Sequence, residues 1–420
     1  MHPTVLLDAS RLLSRTERAA PTGIDRVCLA YAEWLIAHPQ YRMVPVRARK
    51  GQLALVSNDW FRERIKDLRT RWNGLSEVQD RPQDTALLQA LSTPLRPAQS
   101  VRSPLPVTTE TRKKRHVARQ FFRARRTALP PAMAYINVGH TGLDEPGLLT
   151  SLQDAGIARL LMVHDLIPVT HPQYCRPGDD AKHARRIHHA LSLGSHIIAN
   201  SAYTAAELER FASGLNLPRR PVEIAHLGLE SHLGQAEPLV TSRPYFVHVG
   251  TIEGRKNLAF ILNVWRTLTE QMGEQTPSLV LIGRYGWENE AELAMLHRCP
   301  ELQGRVHQAE GMSDRLLTRL MLGAQAVLSP SSVEGFDLPA VEASALGVPL
   351  IASDIPPHRE LVGHARLIDP QDGFGWMSAI KDYSIQKPEV PQYTAPDWAR
   401  HFAIVDERIL KPLATLHQQR

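Results

Sequence analysis

Glu334-Gly335-Phe336-Asp337-Leu338-Pro339-Ala340-Val341-Glu342 sets two carboxylates apart by seven residues. A short apolar run, Ala326–Ser329, precedes it, and a helical segment runs on through Ala345. Pro339 suits the first turn of that helix, because a missing N–H and a fixed φ are harmless there. The helix therefore starts between the two acids. Its free N–H groups, from about Phe336 to Ala340, would lie at the carboxyl end of a strand, where α/β sheets bind ligands, and would favour an anion such as a diphosphate. Glu342, one turn inside, is placed to accept hydrogen bonds from ribose hydroxyls, and Glu334 in the loop can reach the hydroxyls of a sugar. Taken alone, the pair reads more simply as a solvated loop acid and a partner of the helix dipole. Its surroundings decide the matter.

Short apolar runs recur on both sides with helical segments between them, the rhythm of parallel strands in an α/β protein. Tyr245–Val249, Ser278–Ile282, Val306–Gln308, Ala326–Ser329 and Pro349–Ala352 form one series. Val5-Leu6-Leu7, Ala134–Gly139, Arg159–His164, His196–Ala199 and Val222–Ala225 form another. Between the series lies a polar, proline-containing stretch, Gly234–Pro244, which predicts a boundary near residue 240. Two Rossmann-like domains follow, 1–240 and 241–397, facing a central cleft, with a terminal helix at 398–420 packing back across it. Thr22-Gly23-Ile24-Asp25-Arg26 opens an amphipathic helix to about Ala37. From Asn58 to Pro131 the pattern weakens and prolines accumulate, so about 58–131 reads as an insertion or lid.

A chain of 420 residues with 43% hydrophobic and 22% charged residues is globular and large enough for two cores. Its apolar stretches, such as Ala158–Val163 and Ala345–Ala352, fall short of the ~20 residues that span a bilayer. The N-terminus lacks the pattern of a signal peptide, and Cys28, Cys175 and Cys299 match neither a disulfide framework nor a zinc site. A cytoplasmic protein is expected. The formal charge of +6 suggests an acidic partner without choosing one. Arg112–Arg126 carries eight Lys/Arg and no acid. With Val117, Phe121 and Ala124 roughly on one face, it is readable as a helix lying on anionic lipid at the inner face of the membrane, or equally as a solvated loop. Nucleic acid is not expected, since aromatic interleaving and a binding motif are missing.

The acidic stretch, with Ala343 after it, resembles the Glu-x7-Glu signature of the retaining GT-B glycosyltransferases of family 4 (glycosyl transferases group 1), with Asp337 where that family usually has glycine. Gly250-Thr-Ile-Glu-Gly-Arg255-Lys256-Asn257 is similar to its G-x-x-x-x-R-K-N element, and Val306–Leu316 to the stretch lining its base pocket. His164-Asp165 resembles the family's H-D pair, and Thr22-Gly23 with Arg26 its N-terminal glycine loop. The resemblance is close over about 243–373, looser over 1–37 and 134–230, and slight over 58–131.

This resemblance implies a hexosyltransferase using a nucleoside diphosphate sugar as substrate, with no other cofactor and no metal. It places Arg255, Lys256, Gly250 and Gly23 on the donor's phosphates, and Phe336, Asp337, Leu338 and Glu342 along the rest of the donor. Glu334 and His164 fall at the transferred sugar. A glycine at 337 would let the backbone lie close to that sugar, so Asp337 is expected to alter its hold or contact a hydroxyl. Helix N–H groups with two cations suit a leaving diphosphate. The resemblance further suggests GDP-mannose as donor, with a glycan or lipid-linked glycan of surface-polysaccharide synthesis as acceptor. A non-catalytic scaffold of the same fold, or another sugar-nucleotide enzyme such as an epimerase, are the alternatives.

Overall fold

The computed structural model describes residues 2–17, 21–73, 82–92, 129–229, 236–286 and 289–419. Two sheets organise them. The first has seven strands: β1 Thr4–Asp8, β2 Arg42–Arg49, β3 Gln52–Leu55, β4 Ala134–Asn137, β5 Ala158–Val163, β6 His196–Ala199 and β7 Val222–Ile224, in the order β3-β2-β1-β4-β5-β6-β7. All pairs are parallel except β2–β3. The second has six: β8 Tyr245–Val249, β9 Ser278–Ile282, β10 Val306–Ala309, β11 Ala326–Ser329, β12 Leu350–Ser353 and β13 Arg366–Ile368, ordered β10-β9-β8-β11-β12-β13 and wholly parallel.

Parallel sheets are covered on both faces, so their strands are continuous apolar runs rather than alternating ones. Ser278–Ile282 is buried throughout. Trp265 and Trp376, both fully enclosed, cover one face of the second sheet, each indole N–H satisfied by a carbonyl, of Pro277 at 2.9 Å and of Asp369 at 3.0 Å. In each sheet the strand order reverses once, between β1 and β4 and between β8 and β11. Such switch points open a crevice at the strands' carboxyl ends.

Of the stretch 58–131 expected as an insertion or lid, residues 58–73, 82–92 and 129–131 are described. Asn58–Asn73 is a helix whose Phe61, Ile65, Leu68 and Trp72 recur at helical spacing and join the hydrophobic core that runs through both domains. Its many charges hide that stripe in the sequence. Pro82–Ser92 forms a second helix, and the Gln83 side chain donates to the Glu310 carbonyl beyond β10 at 3.1 Å, so this piece bridges to the second domain. The basic run Arg112–Arg126 lies outside the described residues.

The terminal segment is helical over Trp398–Val405 and Lys411–Gln418, joined by a π turn at Asp406–Leu410. Phe402 stacks on Trp34 of the Gly23–Ala37 helix, with ring centres 4.4 Å apart, and Tyr31 meets His401 Nε2 at 2.8 Å. His401 Nδ1 faces the His226 carbonyl at 3.0 Å and so carries the ring hydrogen, leaving Nε2 to accept from Tyr31. Burial lowers the pKa of His401 to about 4, in keeping with a neutral ring in that arrangement. Among the described residues no helix is long and apolar enough to cross a membrane.

Candidate active site between the two sheets

The loop after β11 and the loop after β8 meet at the second sheet's switch point. Lys256 is buried beneath them, its Nζ 2.6 Å from Glu334 Oε1 and 3.1 Å from Asp337 Oδ1. Arg255 reaches Glu334 Oε2 through Nη1 at 2.5 Å and Glu253 through Nε at 2.6 Å. Ser331 donates to Glu334 Oε1 at 2.8 Å. Gly250 leaves room for this packing, since a Cβ there would come within 3.2 Å of Lys256 Cε and 3.3 Å of His248 Nε2.

Burial opposes the charges of Arg255, Lys256, Glu334 and Asp337, and the opposite charges outweigh it. Desolvation alone would lower the Lys256 pKa, yet Asp337 and Glu334 hold it above its usual value. Glu334 is held below the carboxylate range by Arg255 and Lys256, and Asp337 well below it by Lys256 and His358, both against burial. Depressed carboxylate pKa values add stability that is complete above the unfolded-state values, near pH 4, and is lost as pH falls through the folded ones. Asp8, raised to about 6 by burial, works the other way and lowers stability as pH rises from about 4 to 6. Urea midpoints measured from pH 3 to pH 7 should therefore fall steeply below pH 4.5. In Glu334→Gln that acid limb should flatten. An identical acid limb in both proteins would remove the cluster as its source.

Asp337 has φ 67° and ψ 69°, the left-handed region that glycine enters freely and that aspartate and asparagine tolerate better than most residues. The helix Leu338–Ala345 starts immediately after it. The Asp337 carboxylate is almost fully buried, accepting from Ser329 and Lys256, with His358 Nε2 at 3.0 Å. Three protein partners thus occupy the side chain that the sequence suggested for a donor hydroxyl. Its observed part is to hold Lys256. Ala340 N–H turns to the Asp337 carbonyl at 3.1 Å and Pro339 has no N–H, which narrows the amides that could meet an anion to residues 336–338.

The first domain supplies the opposite wall. His164, at the end of β5, has Nε2 2.8 Å from the Val138 carbonyl, so Nε2 carries the hydrogen and Nδ1 is an acceptor. Burial lowers its pKa to about 4, so the ring is neutral at pH 7. Gly335 lies directly against it: a Cβ at 335 would fall 2.3 Å from the His164 carbonyl oxygen and 2.9 Å from Asp165 Cβ. Ser201 also donates to the Gly335 carbonyl at 2.8 Å. The Gly23 loop reaches the same helix start, where a Cβ at 23 would sit 3.4 Å from Leu338 Cδ1. Thr22 and Asp25 form a capping box there, and Arg26 Nη1 stands 3.2 Å from Glu342 Oε1. Phe336 is buried with its ring centre 6.1 Å from that of His226.

All ten residues singled out from the sequence thus lie in or beside one interdomain crevice. Glu334 touches Arg255 and Lys256, and Lys256 touches Asp337, while Gly335 meets His164 and Glu342 meets Arg26 across the domain boundary. Ser329, Ser331 and His358, which hold the Glu334 and Asp337 carboxylates, were not singled out from the sequence. Nor was Glu360, which accepts from Ala202 N–H at 2.7 Å and Tyr203 N–H at 3.1 Å and lies 2.8 Å from His226. A glutamate of the second domain thereby caps a helix of the first, a contact without local sequence signal.

Comparison with solved structures decides the architecture. Anabaena Alr3699/HepE in complex with UDP-glucose superposes with a TM-score of 0.58 at 14% identity, all of both chains being covered. The fold is GT-B. Sucrose-phosphate synthase from Thermosynechococcus elongatus is similar to this GT-B chain to the same degree, with TM-score 0.58, 15% identity, and coverage of 100% of this chain and 99% of that one. Residues 233–382 match the family model of glycosyl transferases group 1, which takes in both acids and both cations. O-antigen chain mannosyltransferase B of Escherichia coli is 28% identical over 221 residues, 50% of this chain and 56% of that protein. The aligned region spans about half or less of the curated relatives it matches.

Proposed function

We propose that the protein is a retaining glycosyltransferase that moves a hexose from a nucleoside diphosphate sugar to a glycan or lipid-linked glycan of a surface polysaccharide. The observation that carries this reading is the convergence of Arg255, Lys256, Glu334 and Glu342 on one crevice at the second sheet's switch point, closed by His164 and Gly23 from the first. Mannose from GDP-mannose is the proposed donor, supported by the mannosyltransferase likeness. A cytoplasmic site of action, with contact to the inner membrane face through Arg112–Arg126, belongs to the same reading.

The chemistry follows from the charges. As the sugar–phosphate bond breaks, negative charge grows on the diphosphate. Arg255, a quarter exposed, and the buried Lys256 are held by their ion pairs where they would meet it. A bound diphosphate would compete with Glu334 for the two cations and free carboxylate lone pairs for the sugar's hydroxyls. Glu342 would exchange Arg26 for ribose hydroxyls. In retention by front-face displacement, the acceptor oxygen bonds to the anomeric carbon on the side the diphosphate leaves, and its proton passes to a departing phosphate oxygen. Glu334 then orients the sugar, and neutral His164 offers Nδ1 to a sugar hydroxyl.

The test is calorimetric or thermal-shift binding of GDP, UDP, dTDP and their common sugar conjugates, with Glu342→Ala beside the wild type. One nucleotide class should bind selectively, and the variant should bind it about tenfold more weakly, the value of a hydrogen bond or two to a charged group. No binding, or equal affinity in both proteins, would remove the assignment.

A further inference from the structure

A cavity of about 560 Å³ opens in the first domain at the carboxyl ends of β1, β2 and β4, and it is basic. Arg11 and Arg15 line it from the segment after β1, Arg49 and Lys50 from the β2–β3 turn, and Lys182 and Arg186 from the Asp179–Leu193 helix. Among the described residues, only Asp144, Glu145 and Asp165 bring negative charge to its walls. Arg11 is engaged by Asp25 at 2.6 Å. Two of the other side chains make long ion pairs: Arg15 Nε lies 3.8 Å from Asp25, and Arg186 Nε lies 3.5 Å from an Asp144 that also serves Lys182 at 3.7 Å. These separations exceed hydrogen-bond length. Arg15 Nε and Arg186 Nε are buried and have no hydrogen-bond partner among the described residues. Buried charged donors left unsatisfied are costly, and an oxyanion relieves them.

We infer that this cavity holds a phosphate or diphosphate carried by the acceptor, an assignment that rests on the glycosyl-transfer reading. Cations from three separate elements surround the space, which suits the several oxygens and two or more charges of a phosphate group better than a planar carboxylate held from one side. The cavity also lies beside the transfer site, because Asp165 borders it and packs against Gly335, next to Glu334. An acceptor anchored here by its anionic end presents its hydroxyls toward the sugar held by the second domain.

The experiment titrates inorganic pyrophosphate and farnesyl diphosphate into the full chain saturated with the nucleoside diphosphate it binds. It is repeated with Arg186→Gln and with the exposed-turn double variant Arg49→Gln/Lys50→Gln. Pyrophosphate should bind with nucleotide already in place, and each variant should weaken it about tenfold, the scale of one or two lost charge-assisted hydrogen bonds. Nucleotide affinity and melting temperature should stay near wild type. Tighter binding of farnesyl diphosphate through the same residues would assign the phosphate to a lipid carrier, and equal binding to a soluble one. Pyrophosphate that fails to bind at millimolar concentration, binds unchanged to both variants, or loses affinity only in step with the nucleotide would overturn the assignment. If pyrophosphate bound through these residues but no nucleotide did, the pocket would stand as an anion site and the transferase reading would fall.

Discussion

Lys256→Ala should lower stability by about 3–5 kcal/mol, the usual cost of removing one partner from a buried ion cluster. It should also reduce kcat/KM for sugar transfer by about 10²–10³-fold, the scale of losing one preorganised donor to the leaving group. Both effects have one source. Without the ammonium, Glu334 and Asp337 stay buried, Glu334 keeping Arg255 and Ser331 and Asp337 keeping His358 and Ser329. A double change, Lys256→Met with Asp337→Asn, separates the two roles. It removes a charge of each sign, so urea unfolding should recover much of the lost stability while transfer remains slow. If transfer recovered along with the fold, Lys256 would be structural only.

Gly335→Ala should reduce the transfer rate about 100-fold, the order of effect expected when reacting groups are displaced by about 1 Å. The added methyl would fall 2.3 Å from the His164 carbonyl oxygen, too close to coexist with it, so the domains must part. Nucleotide affinity should change little, since Arg255, Lys256 and Glu342 belong to the second domain. Small-angle scattering of the nucleotide complex should show a more open molecule. A wild-type rate would mean that this contact is not the working geometry. The glycine of the acidic motif is thus explained by a neighbour 171 residues earlier in the chain.

That example shows where sequence reading succeeds and where it stops. The buried strands were legible because parallel sheets impose unbroken apolar runs, and the motif order located the crevice. β2 was hidden by Pro45 and its arginines, since a proline inside a run argues against a strand. β3 is short and only half-buried, and β13 has three residues. In the site, residue types and spacing named Glu334, Arg255, Lys256 and Glu342. They could not show that Asp337 turns inward to Lys256 and His358, because that depends on a left-handed backbone angle and on β11 placing Ser329 beneath it. Nor could they show the basic cavity, whose cations come from three stretches over 170 positions apart at the extremes.

The route of the chain's last fifty residues has a mechanical meaning. The polypeptide passes from the first domain to the second between Ile224 and Tyr245, and returns between Ile385 and Trp398 to dock Phe402 on Trp34. Two crossings define a line, as two pins define the axis of a door. A single linker would let the halves swivel in any direction. A pair restricts how the halves can turn against each other, and so favours the one register in which Gly335 meets His164 and Glu342 meets Arg26.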